Sequence, residues 1–181
     1  ADVALLVQQR KTFFLGELFA MYHDHVDAPL PGADAVLADD DHPAISHFSS
    51  AQRQEIRRDL SGKSVRYVAR AMMGQEKVSN AVYNAAANVV TAVLGGPDAL
   101  TELIHRRDPA FRDVTVRRYM LRDRKTPGDN EATPASLAAL YQRLSSKDLA
   151  GLDAATTDAI RDTLYRGKTA GLGKHYDKVG D

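Results

Sequence analysis

The chain alternates between segments with helical spacing of apolar residues and segments rich in Pro, Gly and Asp. In the helical segments apolar side chains recur three and four positions apart, and the strict alternation typical of strands is almost absent. We therefore predict an all-α fold in a single domain. The predicted helices span residues 3–22, 50–60, 65–73, 79–94, 98–107, 134–144 and 153–165.

The helix predicted over residues 79–94 is expected to be the most deeply buried. It carries no charged residue, and on a helical wheel Val82 and Val89 lie on one face, with Asn84 and Asn88 on the other. Its uncharged run is long enough to cross a membrane. Because the run also contains several Asn residues, a Ser and a Thr, the pattern favours a helix buried by its neighbours instead.

The remaining segments lack helical spacing. Residues 23–49 contain three prolines and an acidic run, so they are predicted to form a loop or an insertion. The domain is accordingly divided into a first helix (1–22), this loop or insertion (23–49), a helical core (50–167) and a tail (168–181). Within the core, residues 112–130 are predicted to form an irregular basic loop.

Composition narrows the functional classes. The chain has 24 basic and 24 acidic residues and a formal net charge of zero, so nothing in its overall charge favours nucleic acid or an anionic membrane. It has no cysteine, which excludes disulfides and thiolate metal sites. We expect no cofactor, no nucleic-acid partner and no transmembrane segment.

Two weaker patterns concern metal binding and DNA binding. His23-Asp24-His25 and Asp39-Asp40-Asp41-His42 suggest a metal site, but histidines two positions apart do not share a helical face. Residues 50–73 resemble a basic helix-turn-helix, yet the second helix lacks the Asn and Gln pattern of a recognition helix. We therefore expect neither a metal site nor a DNA-binding motif.

The most specific signal is a continuous motif in the central helix. It reads Val82-Tyr83-Asn84-Ala85-Ala86-Ala87-Asn88, and an apolar helix and Gly95-Gly96-Pro97 follow without a gap. It resembles the central helix of the serine β-lactamase and penicillin-binding protein family, which runs S-D-N, T-A-A-N, an apolar helix and G-G-P. Residues 63–181 carry the resemblance well, and residues 3–22 carry it loosely.

The resemblance implies a set of candidate site residues. Enzymes of this family use a nucleophilic Ser three residues before a Lys, on one face of a helix. The stretch that begins at Lys11 aligns with that helix, which makes Lys11 the motif lysine and puts Gln8 at the nucleophile position. Asn84 matches the Asn of the S-x-N motif, and Val82 replaces its Ser. Ser79 remains as a candidate for a displaced serine.

Each assignment has a structural alternative. Lys11 could be a solvated charge on the surface of its helix. Asn84 and Asn88 could be buried amides that bridge backbone groups, since buried polar groups need hydrogen-bond partners.

Other parts of the family pattern are altered or missing. Where class A β-lactamases carry their deacylating Glu, residues 114–130 contain no Glu and are dominated by arginines, which are either surface charge or a carboxylate-binding group: Arg117, Arg118, Arg122 and Arg124. Lys168-Thr169-Ala170-Gly171 is one residue too long for the K-T-G motif and precedes its strand. That strand is expected to begin at Val179-Gly180-Asp181. We expect the family's helical lobe without its antiparallel sheet.

A lobe without its sheet is expected to expose apolar surface or to self-associate. The first helix is too apolar for an outer helix, because its large apolar side chains cover more than one face. These side chains are Phe13, Phe14, Leu15, Leu18 and Phe19.

Three functional hypotheses follow. The first is a β-lactamase-like protein of the penicillin-recognising serine hydrolase superfamily that is catalytically impaired or inactive and has a binding or structural role. The second is an active serine hydrolase whose remaining motifs lie outside this chain, and the third is an unrelated helical interaction or regulatory module. The resemblance implies a β-lactam-like or peptidoglycan-like ligand and an extracytoplasmic or cell-envelope location.

Overall fold

Helices make up the regular structure of the chain. The computed structural model describes residues 3–122 and 128–165, and within them the side chains of residues 10–122 and 128–164. The α-helices are α1 (Val3–Tyr22), α2 (Ala33–Ala38), α3 (Ser50–Leu60), α4 (Val65–Met72), α5 (Asn80–Val93), α6 (Pro97–Arg107), α7 (Pro134–Ser146) and α8 (Ala154–Tyr165). Short 3-10 turns cover His23–His25 and Pro109–Phe111. The described residues form no strand, so the all-α prediction is confirmed.

Polar residues set the helix boundaries. The hydroxyls of Ser64 and Ser79 accept backbone N–H bonds at the starts of α4 and α5, and Thr133 does the same for α7. Between α5 and α6, Gly95 has a φ of +99°, and a Cβ there would come 2.8 Å from the Cβ of Ala99. These local interactions explain why the predicted boundaries agree with the structure to within one or two residues for most helices.

Helix α1 lies at the centre of the fold. It contacts α4, α5, α6, α7 and α8, and its residues 11–19 are all buried. The expectation that its large apolar residues leave an exposed surface is therefore wrong, because other helices of the same chain cover them. Met21 and Leu121 are the exposed large hydrophobic side chains of the described part. Self-association remains a prediction.

Helix α5 is buried on both of its faces. Val82 and Val89 have no exposed surface, and Asn84 and Asn88 on the opposite face are buried as well. This happens because α5 contacts α1, α2, α3, α4 and α6. In the described part of the chain, no helix combines the length and apolar content that a membrane span requires.

The segment 23–49 contains more structure than its sequence predicts. Its helix α2 packs against α5 and buries Val36 and Leu37, so the prediction of a loop is wrong there. Asp34 of α2 accepts hydrogen bonds from Ser61 Oγ (2.7 Å) and from the Gly62 backbone (2.9 Å), which ties α2 to the end of α3. Six residues are too few to show a helical period in the sequence.

Candidate functional site

Lys11, the candidate motif lysine, lies in the core of the protein. It is 0% exposed, so the alternative of a solvated helix charge is wrong. Its Nζ lies 3.3 Å from the centroid of the Tyr83 ring, within the range of a cation–π contact. It also donates a long hydrogen bond, 3.4 Å, to the carbonyl of Met72 at the end of α4. Lys11 therefore joins α1 to both α4 and α5.

Burial changes the acid–base behaviour of this amine. It lowers the pKa of Lys11 from 10.5 to about 7, since a charged ammonium loses its hydration in the core. No carboxylate among the described residues forms an ion pair with Lys11. An amine with a pKa near 7 is suited to general-base chemistry, provided that a reacting group can reach it.

The segment Val82-Tyr83-Asn84 contacts Lys11 through its middle residue. Tyr83 presents its ring to the amine, whereas the side chain of Asn84 is directed to its own helix. There Asn84 Nδ2 donates to the Asn80 carbonyl at 2.8 Å and to Asn80 Oδ1 at 3.1 Å. The structure thus brings Lys11 next to the predicted motif, with Tyr83 as a contact for which the sequence assigned no role.

The hydrogen bond of the Lys11 amine goes to a backbone carbonyl and not to a hydroxyl. Val82, which the resemblance aligns with a serine, is fully buried in the hydrophobic core. Ser79 is the N-cap of α5, and its Oγ accepts a hydrogen bond from the Val82 backbone at 3.3 Å. Gln8 lies within α1, but its side chain falls outside the described part of the chain, as do residues 168–171 and 179–181.

Asn88 fastens two loops to α5. Its Nδ2 donates to the Ala44 carbonyl at 2.9 Å and to the Met120 carbonyl at 3.1 Å, while its Oδ1 accepts from the Met120 N–H. His47 Nε2 donates to the same Met120 carbonyl at 2.9 Å. The interpretation of Asn88 as a buried bridging amide is confirmed. The role of His47 has no signal in the sequence, because its partner is 73 positions away.

A second asparagine, Asn130, stabilises the basic loop by hydrogen bonds to its backbone. Asn130 Oδ1 accepts hydrogen bonds from the Arg117 and Arg118 backbone N–H groups, and its Nδ2 donates to the Arg118 carbonyl. The side chain of Arg117 pairs with Glu131 at 2.9 Å, and Arg118 pairs with Asp129. These two arginines are thus already engaged with carboxylates of the same chain. Arg122 is exposed, and Arg124 falls outside the described residues.

The basic residues of α3 and α4 are also paired within the chain. Arg57 and Arg53 contact Asp40, Arg66 contacts Asp27, and Arg70 contacts Glu76. Lys63, in the turn between the helices, lies 5.2 Å from the centroid of the Tyr67 ring. Carboxylates therefore balance most of the positive charge that suggested a helix-turn-helix.

The described part of the chain offers little beyond this region as a binding site. The described residues contain no group of three or more His, Asp or Glu side chains that could hold a metal ion. An open groove of about 400 Å³ lies between α6 and the loop after it, and Lys11 does not line it. Its lining residues are Asp98, Thr101, Glu102, Thr115, Val116 and Arg117.

Comparison with known proteins identifies no relative from which a function could be inferred. Neither the family models, nor the curated proteins, nor the solved structures contain a match to this chain.

Proposed function

We propose that this chain is a β-lactamase-like helical lobe that carries out no acyl transfer and has a binding or structural role. One observation carries the proposal: the Nζ of Lys11 lies 3.3 Å from the ring centroid of Tyr83, the middle residue of the S-x-N segment. The resemblance identifies Lys11 and this segment as parts of one family site, although they lie in separate parts of the sequence. Their contact in the fold is what a shared family site requires.

The chemistry of the same region supports the absence of acyl transfer. Such a reaction needs a nucleophilic oxygen beside a base. At the position that the resemblance aligns with the serine of S-x-N, this chain has the apolar and buried Val82. The hydroxyl of Ser79 is used as a helix cap. Lys11 has a lowered pKa, but its amine is buried and its hydrogen bond goes to the Met72 carbonyl rather than to a hydroxyl.

The resemblance directs the search for a ligand to β-lactam-like and peptidoglycan-like molecules, in a cell-envelope setting. Such ligands carry amide and carboxylate groups. In the family, the Asn of the S-x-N motif holds the substrate amide, which makes Asn84 the residue to test. Asn84 is 6% exposed and the hydrogen bonds of its amide nitrogen go to Asn80, so its side chain can be altered without breaking a hydrogen bond between helices.

Intact-mass spectrometry after incubation with benzylpenicillin tests the proposal, together with a nitrocefin hydrolysis assay. We expect no adduct and no hydrolysis. Non-covalent binding of penicillin or of peptidoglycan fragments, measured by calorimetry, is expected to weaken in Asn84→Ala. Thr163→Ala, on α8, serves as the control, because Thr163 is also buried and its hydroxyl donates to the Ala159 carbonyl of its own helix.

Two outcomes would contradict the proposal. A stoichiometric adduct on any serine would show an active hydrolase, and Ser79→Ala would then identify whether the nucleophile is Ser79. Binding that is absent for every β-lactam and every peptidoglycan fragment would favour the third hypothesis, an unrelated helical interaction module.

A further inference from the structure

We infer that uptake of a proton by Lys11 weakens the packing of α1 against α4 and α5. This property does not depend on the proposed function, because burying an unpaired charge is costly in any protein core. Lys11 lies in the middle of α1, in a stretch of nine consecutive buried residues that contact several helices. A charge at this point therefore acts on the central contacts of the fold.

The immediate surroundings of Lys11 stabilise an ammonium poorly. The carbonyl of Met72 on α4 accepts a hydrogen bond at 3.4 Å, which is long for such a bond. The ring of Tyr83 on α5 covers one side of the amine. An ammonium has three N–H donors, so these contacts replace only part of its hydration.

The titratable groups on the other helices packed against α1 have partners of their own. On α6, Arg107 binds Glu17, which belongs to α1. On α7, the hydroxyl of Tyr141 lies 3.4 Å from Thr12 Oγ1. On α8, the carboxylate of Asp162 interacts electrostatically with Arg66. Burial is the cause of the lowered pKa of Lys11, and no charged group among the described residues offsets the loss of hydration.

The direction of the pH effect follows from where the proton is bound. Between the folded-state pKa of about 7 and the unfolded value of 10.5, the unfolded chain holds the proton and the folded chain does not. Raising the pH through this window therefore favours the folded state. Below about pH 7 both states are protonated, and the full cost of burying the charge is present.

Urea unfolding at pH 7 and pH 9 tests the inference on the wild type and on Lys11→Met, which keeps an unbranched apolar chain of similar length. The pKa difference predicts that the ratio of their unfolding equilibrium constants changes by about 50-fold between these pH values. The wild type is expected to gain stability relative to the variant as the pH rises. Lys63→Met is the matched control, since Lys63 also faces a tyrosine ring but is only half-buried, and it should follow the wild type.

A measurement on the unaltered protein covers the case in which Lys11→Met fails to fold. NMR titration of protein labelled with [ε-¹³C]lysine should show one lysine that titrates near pH 7. The inference is overturned if every lysine titrates above pH 9. It is equally overturned if the wild type and Lys11→Met show the same dependence of stability on pH.

Discussion

Truncation of Asn88 to alanine is expected to destabilise the protein far more than the same truncation of Asn84, one turn earlier on α5. Both amides are buried, and both lie on the same face of the helix. They differ in their partners. Asn88 bonds to Ala44 and Met120 in two separate loops, whereas the amide of Asn84 bonds to Asn80 in its own helix.

The magnitude follows from the groups that each truncation leaves without a partner. In Asn88→Ala the Ala44 carbonyl and the Met120 N–H lose the hydrogen bonds that Asn88 provides, while the Met120 carbonyl keeps His47. An unsatisfied buried polar group costs about 1–3 kcal/mol, so two of them cost about 2–6 kcal/mol. In Asn84→Ala the Asn80 carbonyl keeps its helical hydrogen bond, and we expect a cost of about 1 kcal/mol.

Urea unfolding followed by circular dichroism measures both variants against the wild type. The comparison is controlled internally, because the same atoms are removed from the same helix and the cavity terms are therefore similar. Limited proteolysis gives a second readout, since cleavage around Met120 should accelerate in Asn88→Ala alone. If the two variants differ by less than about 1 kcal/mol, the long-range hydrogen bonds of Asn88 do not stabilise the fold as reasoned here.

Two further predictions concern the core. Val89→Asp is expected to cost several kcal/mol, at least about 3, because Val89 has no exposed surface and the new carboxylate would lack a partner; a melting temperature equal to that of the wild type would contradict this. Arg107→Met is expected to cost about 3–5 kcal/mol, because it leaves the Glu17 carboxylate buried and unpaired. Arg58→Met, at an exposed ion pair, is its control and should unfold at nearly the same denaturant concentration as the wild type. A similar loss in both arginine variants would show that burial of the pair is not the cause.

The sequence signals for helices were reliable where they were local. Helices were predicted to begin at residues 65, 79 and 134, and at these starts Ser64, Ser79 and Thr133 each accept a backbone hydrogen bond. Gly95 and Pro97 separate α5 from α6 for steric reasons that act between neighbouring residues. Helix α2 was missed because its stability comes from packing on α5 rather than from a pattern of its own.

The candidate site was predictable only in part. Lys11 and Asn84 were candidates because of the family resemblance, and the structure brings Lys11 against Tyr83, the neighbour of Asn84. The burial of Lys11 was not predictable, because a lysine in a helix is usually exposed and its contacts with Met72 and Tyr83 are 61 and 72 positions away. The apolar residues of α1 were likewise expected at an open surface, although the chain buries them itself.

The sequence by itself determined the helical class and most helix boundaries. These depend on side-chain identity, on spacing and on hydrogen bonds between residues a few positions apart. Only the tertiary structure decided that α1 is central, that Lys11 is a buried amine and that Asn88 fastens two loops. Burial, pKa and long-range hydrogen bonds depend on which distant segments share the same space, and no local pattern specifies that.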